Sequence, residues 1–323
     1  MKDIIAPVDK ALLKKELTAD KFVRKTNYGH NELYIFSHKD SPNLIREVGR
    51  LREITFREAG GGTGKDSDLD SFDLSEDPYQ QLIVWDPQHE EILGGYRFYI
   101  PEEGMDGDEI VKKLSTSHLF HFSDKFKREY LPHTIELGRS FVQPVYQSTT
   151  NRPRRAIYAL DNLWDGLGAM VVDNPNIKYL FGKVTMYTHF NKTARNLLLY
   201  FLDKYFGDKE KLINPIKPLE TNTDLENMES ILSTGNYLDD YKLLSKEIRR
   251  YGENIPPLIN AYMNLSPSMK VFGTVLNDEF GSVEETGILI TINDIYYEKV
   301  ERHVTTYDRV KYYLRKDKFS KSK

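Results

Sequence analysis

The segment 134–142, Thr-Ile-Glu-Leu-Gly-Arg-Ser-Phe-Val, places two charged side chains inside a stretch with the alternation of a β-strand. Leu137 and Phe141 would share its apolar face, with Glu136 and Arg139 near its middle. A buried carboxylate or guanidinium is costly unless it is paired or used in function. Carboxylates in such places act as general bases, and fixed arginines hold carboxylate or carbonyl oxygens. The segment therefore predicts either a catalytic strand or a structural Glu136–Arg139 salt bridge.

Further residues that could take part in the same chemistry precede this strand in a fixed order. Arg52 and Phe56 lie one turn apart on a predicted helix, and Asp70 and Asp73 follow in an acidic loop. Arg97 lies in the second strand of a predicted hairpin. The two aspartates could fold the acidic loop over a substrate, or they could form a structural ion-pair network with Arg52.

Alternating strands and helices are needed to bring these side chains together. Hydrophobic periodicity predicts a β-hairpin ahead of the Glu136 strand. It also predicts further strands and helices before and after these elements in the sequence. The predicted strands lie at 31–37, 80–86, 92–100, 134–142, 177–187, 270–276 and 284–292. The predicted helices lie at 42–58, 154–172, about 191–205, 224–233 and 238–251. This order predicts a mixed α/β sheet with helices on both faces.

The composition of the whole chain excludes several classes of protein. Its 323 residues, 39% of them hydrophobic, suffice for one large core or two modest ones. The net charge of −4 does not favour nucleic acid as a partner. The chain has no cysteine, which excludes disulfides, thiol nucleophiles and zinc–thiolate sites. No apolar run is long enough to span a membrane, and the N-terminus lacks a signal-peptide core, so we expect a cytoplasmic protein.

Three apparent ligand motifs fail on inspection of their residues. Gly60–Lys65 lacks the first glycine of a phosphate-binding loop, and Asp66 stands where its serine or threonine should follow. The acidic loop has Ser71 in place of the turn glycine of a calcium loop. The histidines show no helical His-x-x-x-His pair. We therefore predict no metal ion and no tightly bound cofactor.

The order of the charged motifs resembles that of the acyl-homoserine-lactone synthases, which have the fold of the GNAT N-acyltransferases. The chain reads R-E-I-T-F from Arg52, D-S-F-D from Asp70, G-G-Y-R-F from Gly94 and E-L-G-R from Glu136. The tryptophan that usually follows the first motif in that family is missing. A signal synthase therefore stands as the alternative interpretation.

A more extensive resemblance is to the hemolysin-like N-acyltransferases of ornithine- and glycine-lipid biosynthesis. It includes E-L-G-R-S-F-V-Q-P-V-Y-Q at 136–147, L-W-D-G-L-G at 163–168 and Y-L-F-G-K-V-T-M at 179–186. The resemblance covers about residues 30–292 and implies a GNAT-type α/β fold with a mixed central sheet flanked by helices.

The resemblance also implies a reaction and roles for the charged residues. A fatty acyl group, of the 3-hydroxyacyl type, would pass from acyl carrier protein or coenzyme A to the α-amine of glycine or ornithine. Glu136 would be the base, and Arg139 and Arg97 would hold the acceptor carboxylate and polarise the thioester carbonyl, in either order. Backbone amides beyond Glu136 would stabilise the oxyanion. The residues predicted to bind substrate are Arg52, Phe56, Asp70, Asp73 and Ser140.

The segment that follows the Glu136 strand bears on the acyl donor. Ordinary GNAT enzymes carry a glycine-rich segment there, whose backbone amides hold the pyrophosphate of coenzyme A. Residues 146–155 contain no glycine, and Arg152, Arg154 and Arg155 form a basic lip. A basic lip suits the acidic acyl carrier protein better than a nucleotide, although a charged loop without function would look the same.

The ends of the chain are predicted to lie outside the catalytic domain. We predict an N-terminal arm over 1–29, a single GNAT-type domain over 30–300 with a C-terminal extension at 215–300, and a basic tail over 301–323. Residues 309–323 hold seven basic residues interleaved with aromatic ones. This tail is either solvated or a peripheral contact with an anionic membrane. A non-enzymatic carrier-protein or membrane-binding module is a third interpretation. The acceptor, the acyl length and the oligomeric state are left open by the sequence.

Overall fold

The computed structural model describes most of the chain, namely residues 1–147, 153–221 and 224–308. Within this part only the backbone is described for residues 153–157. Arg152 and the tail from residue 309 lie outside the described residues, and so do the side chains of Arg154 and Arg155. The predicted basic lip and the predicted membrane contact therefore stay predictions.

The chain forms two compact units. Unit 1 is built from three segments: Met1–Ile100, Ile135–Ile177 and the residues from Tyr296 onward. Unit 2 is built from two segments: Pro101–Thr134 and Lys178–Ile295. All the residues predicted to be catalytic or to bind substrate belong to unit 1. A single domain over 30–300 stays a prediction.

Strands supply the framework of both units. In the part of the chain that the structure describes, they are β1 (Phe22–Lys25), β2 (Glu32–Phe36), β3 (Gln80–Asp86), β4 (Glu91–Tyr99), β5 (Phe120–Phe122), β6 (Thr134–Val142), β7 (Tyr179–Met186), β8 (Ile213–Pro215), β9 (Lys270–Asn277) and β10 (Val283–Thr291). In unit 1, strands β1, β2, β3, β4 and β6 are neighbours in that order, and each neighbouring pair is antiparallel. In unit 2, β10 pairs antiparallel with β7 and with β9, and β5 pairs with β8.

Helices connect these strands. In the described residues they are α1 (Lys10–Glu16), α2 (Pro42–Glu58), α3 (Ser71–Leu74), α4 (Gly107–Lys113), α5 (Asp124–Glu129), α6 (Pro153–Asp173), α7 (Lys192–Phe206), α8 (Leu225–Ile231), α9 (Tyr237–Arg250), α10 (Pro257–Met263) and α11 (Tyr297–Val300). A π-helical turn, Glu301–Thr305, follows α11. None of these helices is both long and apolar enough to cross a membrane.

Local signals set the bounds of the helix that carries Arg52. Proline at the first helical position of α2 needs no hydrogen-bond donor there, and its fixed φ suits a helix. Leu44, Val48 and Leu51 recur at helical spacing and are buried. Gly60 follows the end of the helix with a φ of +94°. The predicted helix 42–58 is confirmed. Helix α7 begins after Asn191, whose side chain accepts backbone N–H bonds as a cap.

Strand β6 contains a bulge where it meets β4. Tyr99 is paired with Glu136 and Arg97 with Gly138, but the register then shifts by one residue before Gly95 pairs with Phe141. The bulge therefore lies at Arg139, whose φ of +49° is rare for a residue with a side chain. A Cβ added at Gly94 would lie 2.3 Å from the Phe141 carbonyl oxygen, so β4 needs glycine for this close approach.

Several short elements carry no clear signal in the sequence. The predicted N-terminal arm contains α1 and β1, and β1 is an edge strand paired with β2. The small sheet of β5 and β8 joins parts of unit 2 that are about 90 residues apart, and each of its strands has only three residues. Such short strands depend on their tertiary partners, so hydrophobic alternation alone does not predict them.

Candidate active site

Side chains from three neighbouring strands share one face of the unit 1 sheet. Residues that oppose each other in an antiparallel pair point to the same side, and every second residue of a strand does so too. Glu136 opposes Tyr99, and Arg97 opposes both Gly138 and Gln81. Glu136, Arg97 and Gln81 therefore belong to one face, as the alternation in the sequence allows.

The bulge decides the position of Arg139. In a regular strand, residues three apart point to opposite faces, so Arg139 would point away from Glu136. The extra residue of the bulge reverses this alternation. Arg139 Nε lies 2.9 Å from Asp68 Oδ2, and one of its terminal nitrogens lies 3.7 Å from Asp70. The Arg139 guanidinium thus lies beside Asp68 and Asp70. Since Asp70 also accepts from Arg97, the two arginines belong to one charged cluster.

Arg52 is the centre of this cluster and is fully buried. Its Nε donates to Asp68 Oδ2 at 2.9 Å, and Nη2 donates to the Asp68 carbonyl oxygen at 2.6 Å. Both terminal nitrogens donate to Asp73, and Nη1 also donates to Gln81 at 3.4 Å. All five N–H bonds of the guanidinium thus point to protein acceptors. This arrangement favours the structural ion-pair network, and contact of Arg52 with substrate stays a prediction.

Asp70 and Asp73 connect the acidic loop to two arginines. Asp70 caps the short helix α3, and Asp73 completes a reciprocal capping box by accepting from the Asp70 backbone N–H. Asp70 also accepts from Arg97 at 2.7 Å. Asp73 is buried and accepts from Arg97 Nη1 at 3.1 Å and from Gln81 at 3.0 Å. The loop is therefore fixed over the sheet through charged hydrogen bonds.

The charges of this cluster balance, which is why it can be buried. Three arginines, at positions 52, 97 and 139, face three aspartates, at positions 68, 70 and 73. Burial alone would raise the pKa of Asp68, but Arg139 and Arg52 outweigh it and hold that pKa below its usual range. Burial also acts to raise the pKa of Asp73, and Arg52 and Arg97 lower it well below its usual range.

We expect these two carboxyls to make the protein sensitive to acid. The unfolded chain, with aspartate pKa values near ~3.9, takes up protons at a higher pH than the folded protein does. Their contribution to the free energy of unfolding is thus fully present above about pH 5 and is lost as the pH falls below about 4. Urea denaturation across this range measures the loss.

A matched pair of variants tests the cause of this acid sensitivity. Asp73→Asn should be less stable at neutral pH, yet lose less stability than the native protein between about pH 5 and 3. Asp3→Asn, at an exposed position, should keep the native pH dependence. An Asp73→Asn variant with the native pH dependence would show that this carboxyl does not cause the acid sensitivity.

Arg97 is enclosed by aromatic rings as well as by aspartates. Its guanidinium carbon lies 5.2 Å from the centre of the Tyr79 ring and 5.5 Å from that of Phe72. Such contacts add a cation–π attraction to the ion pairs. The side chain is 3% exposed, compared with 14% for Arg139. Arg139 is therefore the more accessible of the two predicted catalytic arginines.

Glu136 is buried in β6 and accepts a hydrogen bond from the hydroxyl of Tyr79. A Cβ added at Gly138, two residues further on the same face, would have no atom of the described residues within 4 Å. The face of the sheet that carries Glu136 thus has open space at Gly138. Ser140 is partly exposed next to the bulge, and Phe56 is buried on α2. Whether either contacts substrate stays a prediction.

The glycine-rich loop after α2 binds a carboxylate of the protein itself. Glu53 is buried and accepts from the backbone N–H groups of Thr63 at 3.1 Å and Gly64 at 2.8 Å. It also accepts from the Thr63 hydroxyl at 2.7 Å. These amides therefore hold an internal anion, which fits the rejection of a phosphate-binding loop. The described residues contain no group of three or more potential metal ligands.

Three residues of the site escaped the sequence analysis. Asp68 was not predicted as a site residue, although it lies two residues before Asp70. Gln81 and Tyr79 flank the start of β3, where alternation places them on the same face. The alternation was therefore a usable signal for Gln81, whereas nothing in the sequence indicates that Tyr79 reaches Glu136.

Comparisons with known proteins place the chain in a family. Residues 51–152 match the acetyltransferase (GNAT) domain. The glycine N(alpha)-acyltransferase of Phocaeicola vulgatus is 53% identical over 307 residues, which span 95% of this chain and 94% of that protein. The glycine N(alpha)-acyltransferase of Bacteroides thetaiotaomicron is also 53% identical over 307 residues, with 95% and 91% covered. The chain belongs to this acyltransferase family.

The family confirms several of the predictions. The chain is an N-acyltransferase that acts on an amino acid, and its GNAT-type α/β fold with a mixed central sheet flanked by helices is confirmed. A crystal structure of the aminoglycoside acetyltransferase AAC(6')-Ib in complex with coenzyme A is 9% identical to this acyltransferase. It aligns over 84% of this chain and 96% of its own, with a TM-score of 0.30.

Proposed function

We propose that this acyltransferase transfers a fatty acyl group from a carrier-protein thioester to the α-amine of glycine, in the synthesis of amino-acid-containing membrane lipids. The observation that carries the proposal is the similarity to two glycine N(alpha)-acyltransferases over 95% of the chain. The site supports it, because Glu136 lies on the same face of the sheet as the open space at Gly138, and Arg139 is the more exposed of the two predicted catalytic arginines. The resemblance to hemolysin-like acyltransferases supports the lipid product.

The chemistry requires a base, since the ammonium group of an amino acid has no lone pair. Glu136, directly or through a water, takes one proton from the ammonium. The amine nitrogen then attacks the thioester carbonyl carbon, and the tetrahedral intermediate collapses with cleavage of the C–S bond. The nitrogen loses its second proton as the amide forms, and the thiolate that leaves takes up one proton. The net reaction gives an amide, a thiol and one proton.

The surroundings of the two arginines support different roles for them, which the sequence left open. Arg97 donates from one terminal nitrogen to Asp70 and Asp73, and its guanidinium is flanked by two aromatic rings. Arg139 is more exposed, and its distance of 3.7 Å from Asp70 leaves a loose contact that a ligand can replace. We therefore assign the acceptor carboxylate to Arg139, with Asp70 near the ammonium.

The bulge also suits stabilisation of the oxyanion that forms in the tetrahedral intermediate. A bulge takes one residue out of the regular ladder of hydrogen bonds and turns its backbone. In β6 this happens at Arg139, three residues after the proposed base. A backbone N–H at this place would meet the negative charge that develops on the thioester oxygen. The backbone strain that the positive φ of Arg139 indicates then lies where the reaction takes place.

Measuring the product with purified protein tests the function. The protein is incubated with a 3-hydroxyacyl carrier protein and with glycine, ornithine or S-adenosylmethionine in turn, and products are identified by mass spectrometry. We expect N-acylglycine as the main product. N-acylornithine as the main product would mean that ornithine, and not glycine, is the acceptor. An acyl lactone from S-adenosylmethionine would mean that the protein is a signal synthase. No turnover with any acceptor would favour a binding module.

The acyl donor gives a separate prediction that rests on the basic lip. Changing Arg152, Arg154 and Arg155 to Glu reverses three charges that would face the acidic carrier protein. We expect kcat/KM for the carrier-protein substrate to fall by about tenfold or more at low salt, because electrostatic steering accelerates association. The native dependence of this rate on salt should also weaken.

A control variant with the same change in net charge shows whether the effect depends on the position of the basic lip. Changing Lys15, Lys39 and Lys209 to Glu alters the net charge by the same amount at exposed positions elsewhere. This triple variant should keep the native kcat/KM within a few-fold. If coenzyme A thioesters serve as well as carrier-protein thioesters, and the lip variant keeps the native rate, the proposed donor is wrong.

A further inference from the structure

Tyr79 lies against the proposed base but has no role in the chemistry described so far. It is the residue before β3, and its side chain is 2% exposed. Its hydroxyl donates a hydrogen bond to Oε2 of Glu136, which lies 57 residues further along the chain. A hydrogen bond to an ionised carboxylate is stronger than one between neutral groups, and burial strengthens it further.

The ring of Tyr79 is fixed from several sides. It stacks on Tyr99, with 5.3 Å between the ring centres and an angle of 25°. The edge contact with Phe72 has a centre distance of 5.4 Å, and the Tyr79 backbone N–H donates to the Phe72 carbonyl oxygen at 2.8 Å. The Arg97 guanidinium carbon lies 5.2 Å from the ring centre. The hydroxyl therefore has little freedom of its own.

Glutamate needs such a partner if it is to act as a base. Its side chain rotates about three bonds, and a base must lie within hydrogen-bond reach of the proton that it removes. A fixed donor on Oε2 holds the carboxylate in one orientation, so that Oε1 can face the ammonium of the acceptor.

We propose that Tyr79 is a positioning residue that fixes the orientation of the Glu136 carboxylate for proton removal, an inference that rests on the proposed function. The acidic loop takes part indirectly. Phe72 belongs to α3, which Asp70 caps, and Asp70 accepts from Arg97. The order of the acidic loop therefore also extends to the base through the contacts of Phe72 and Arg97 with the Tyr79 ring.

Tyr79→Phe tests the proposal because it removes the hydroxyl and keeps the ring with its three contacts. We expect kcat to fall by about 10- to 100-fold, with KM for glycine changed by less than about threefold. A purely structural role would lower the melting temperature but leave kcat of the folded variant near the native value.

Tyr34→Phe is the matched control. The Tyr34 hydroxyl also donates to a glutamate, Glu32, at 2.8 Å, and the ring is similarly buried in the unit 1 sheet. This variant should keep the native kcat. A folded Tyr79→Phe variant with native kcat would overturn the proposal while the function stands. Absence of N-acylglycine from the native protein would instead overturn the function.

Discussion

Replacing Glu136 by Gln is expected to lower kcat for acyl transfer by about 10²–10⁴-fold, which is the usual effect of removing a general base. Glutamine has the same shape, and its amide oxygen can still accept from the Tyr79 hydroxyl, but it cannot take up a proton from the ammonium. The fold should persist, because the side chain keeps its place in β6 and its hydrogen bond. Release of the carrier-protein thiol and formation of N-acylglycine measure kcat.

A second buried glutamate provides the control for this variant. Glu285 lies in β10 of unit 2, is 2% exposed and accepts from Asn277 at 2.8 Å. Glu285→Gln should lower the melting temperature but keep kcat within a few-fold. Circular dichroism verifies that both variants are folded. A folded Glu136→Gln variant with near-native turnover would remove Glu136 from the mechanism.

The second large effect concerns stability. Replacing Arg52 by Met leaves Asp68 and Asp73 buried without the arginine that binds both of them. Breaking a buried charge network by removing one member typically costs about 3–5 kcal/mol, since the remaining charges stay uncompensated. We expect the free energy of unfolding to fall by this amount, measured from urea denaturation followed by fluorescence and circular dichroism.

Two further variants test whether the loss of stability comes from the broken ion-pair network or from the loss of an arginine side chain as such. Arg250→Met removes an exposed helical partner of Glu247 and should cost less than about 1 kcal/mol. The double variant Arg52→Met/Asp73→Asn removes one charge of each sign, so its loss should be smaller than the sum of the two single losses. A loss below about 1 kcal/mol for Arg52→Met would contradict the structural role of Arg52.

Elements with strong local signals were predicted closely. Helix α2 has its predicted bounds, because proline opens it, apolar residues recur at helical spacing and glycine follows it. Strand β3 also has its predicted bounds, and β4 is displaced by one residue. The strands of three residues, β5 and β8, and the edge strand β1 were not predicted, because their pairing depends on partners distant in sequence.

The sequence by itself indicated an N-acyltransferase and most of the charged residues of the cluster, because both depend on residue types in a fixed order. Only the tertiary structure decided what each of these residues contacts. Alternation would have turned Arg139 away from Glu136, but the bulge brings it into the cluster. Arg52 proved to be the buried centre of a network, and Tyr79 the partner of Glu136. These outcomes depend on strand register and on contacts between distant segments, which no local pattern of residues encodes.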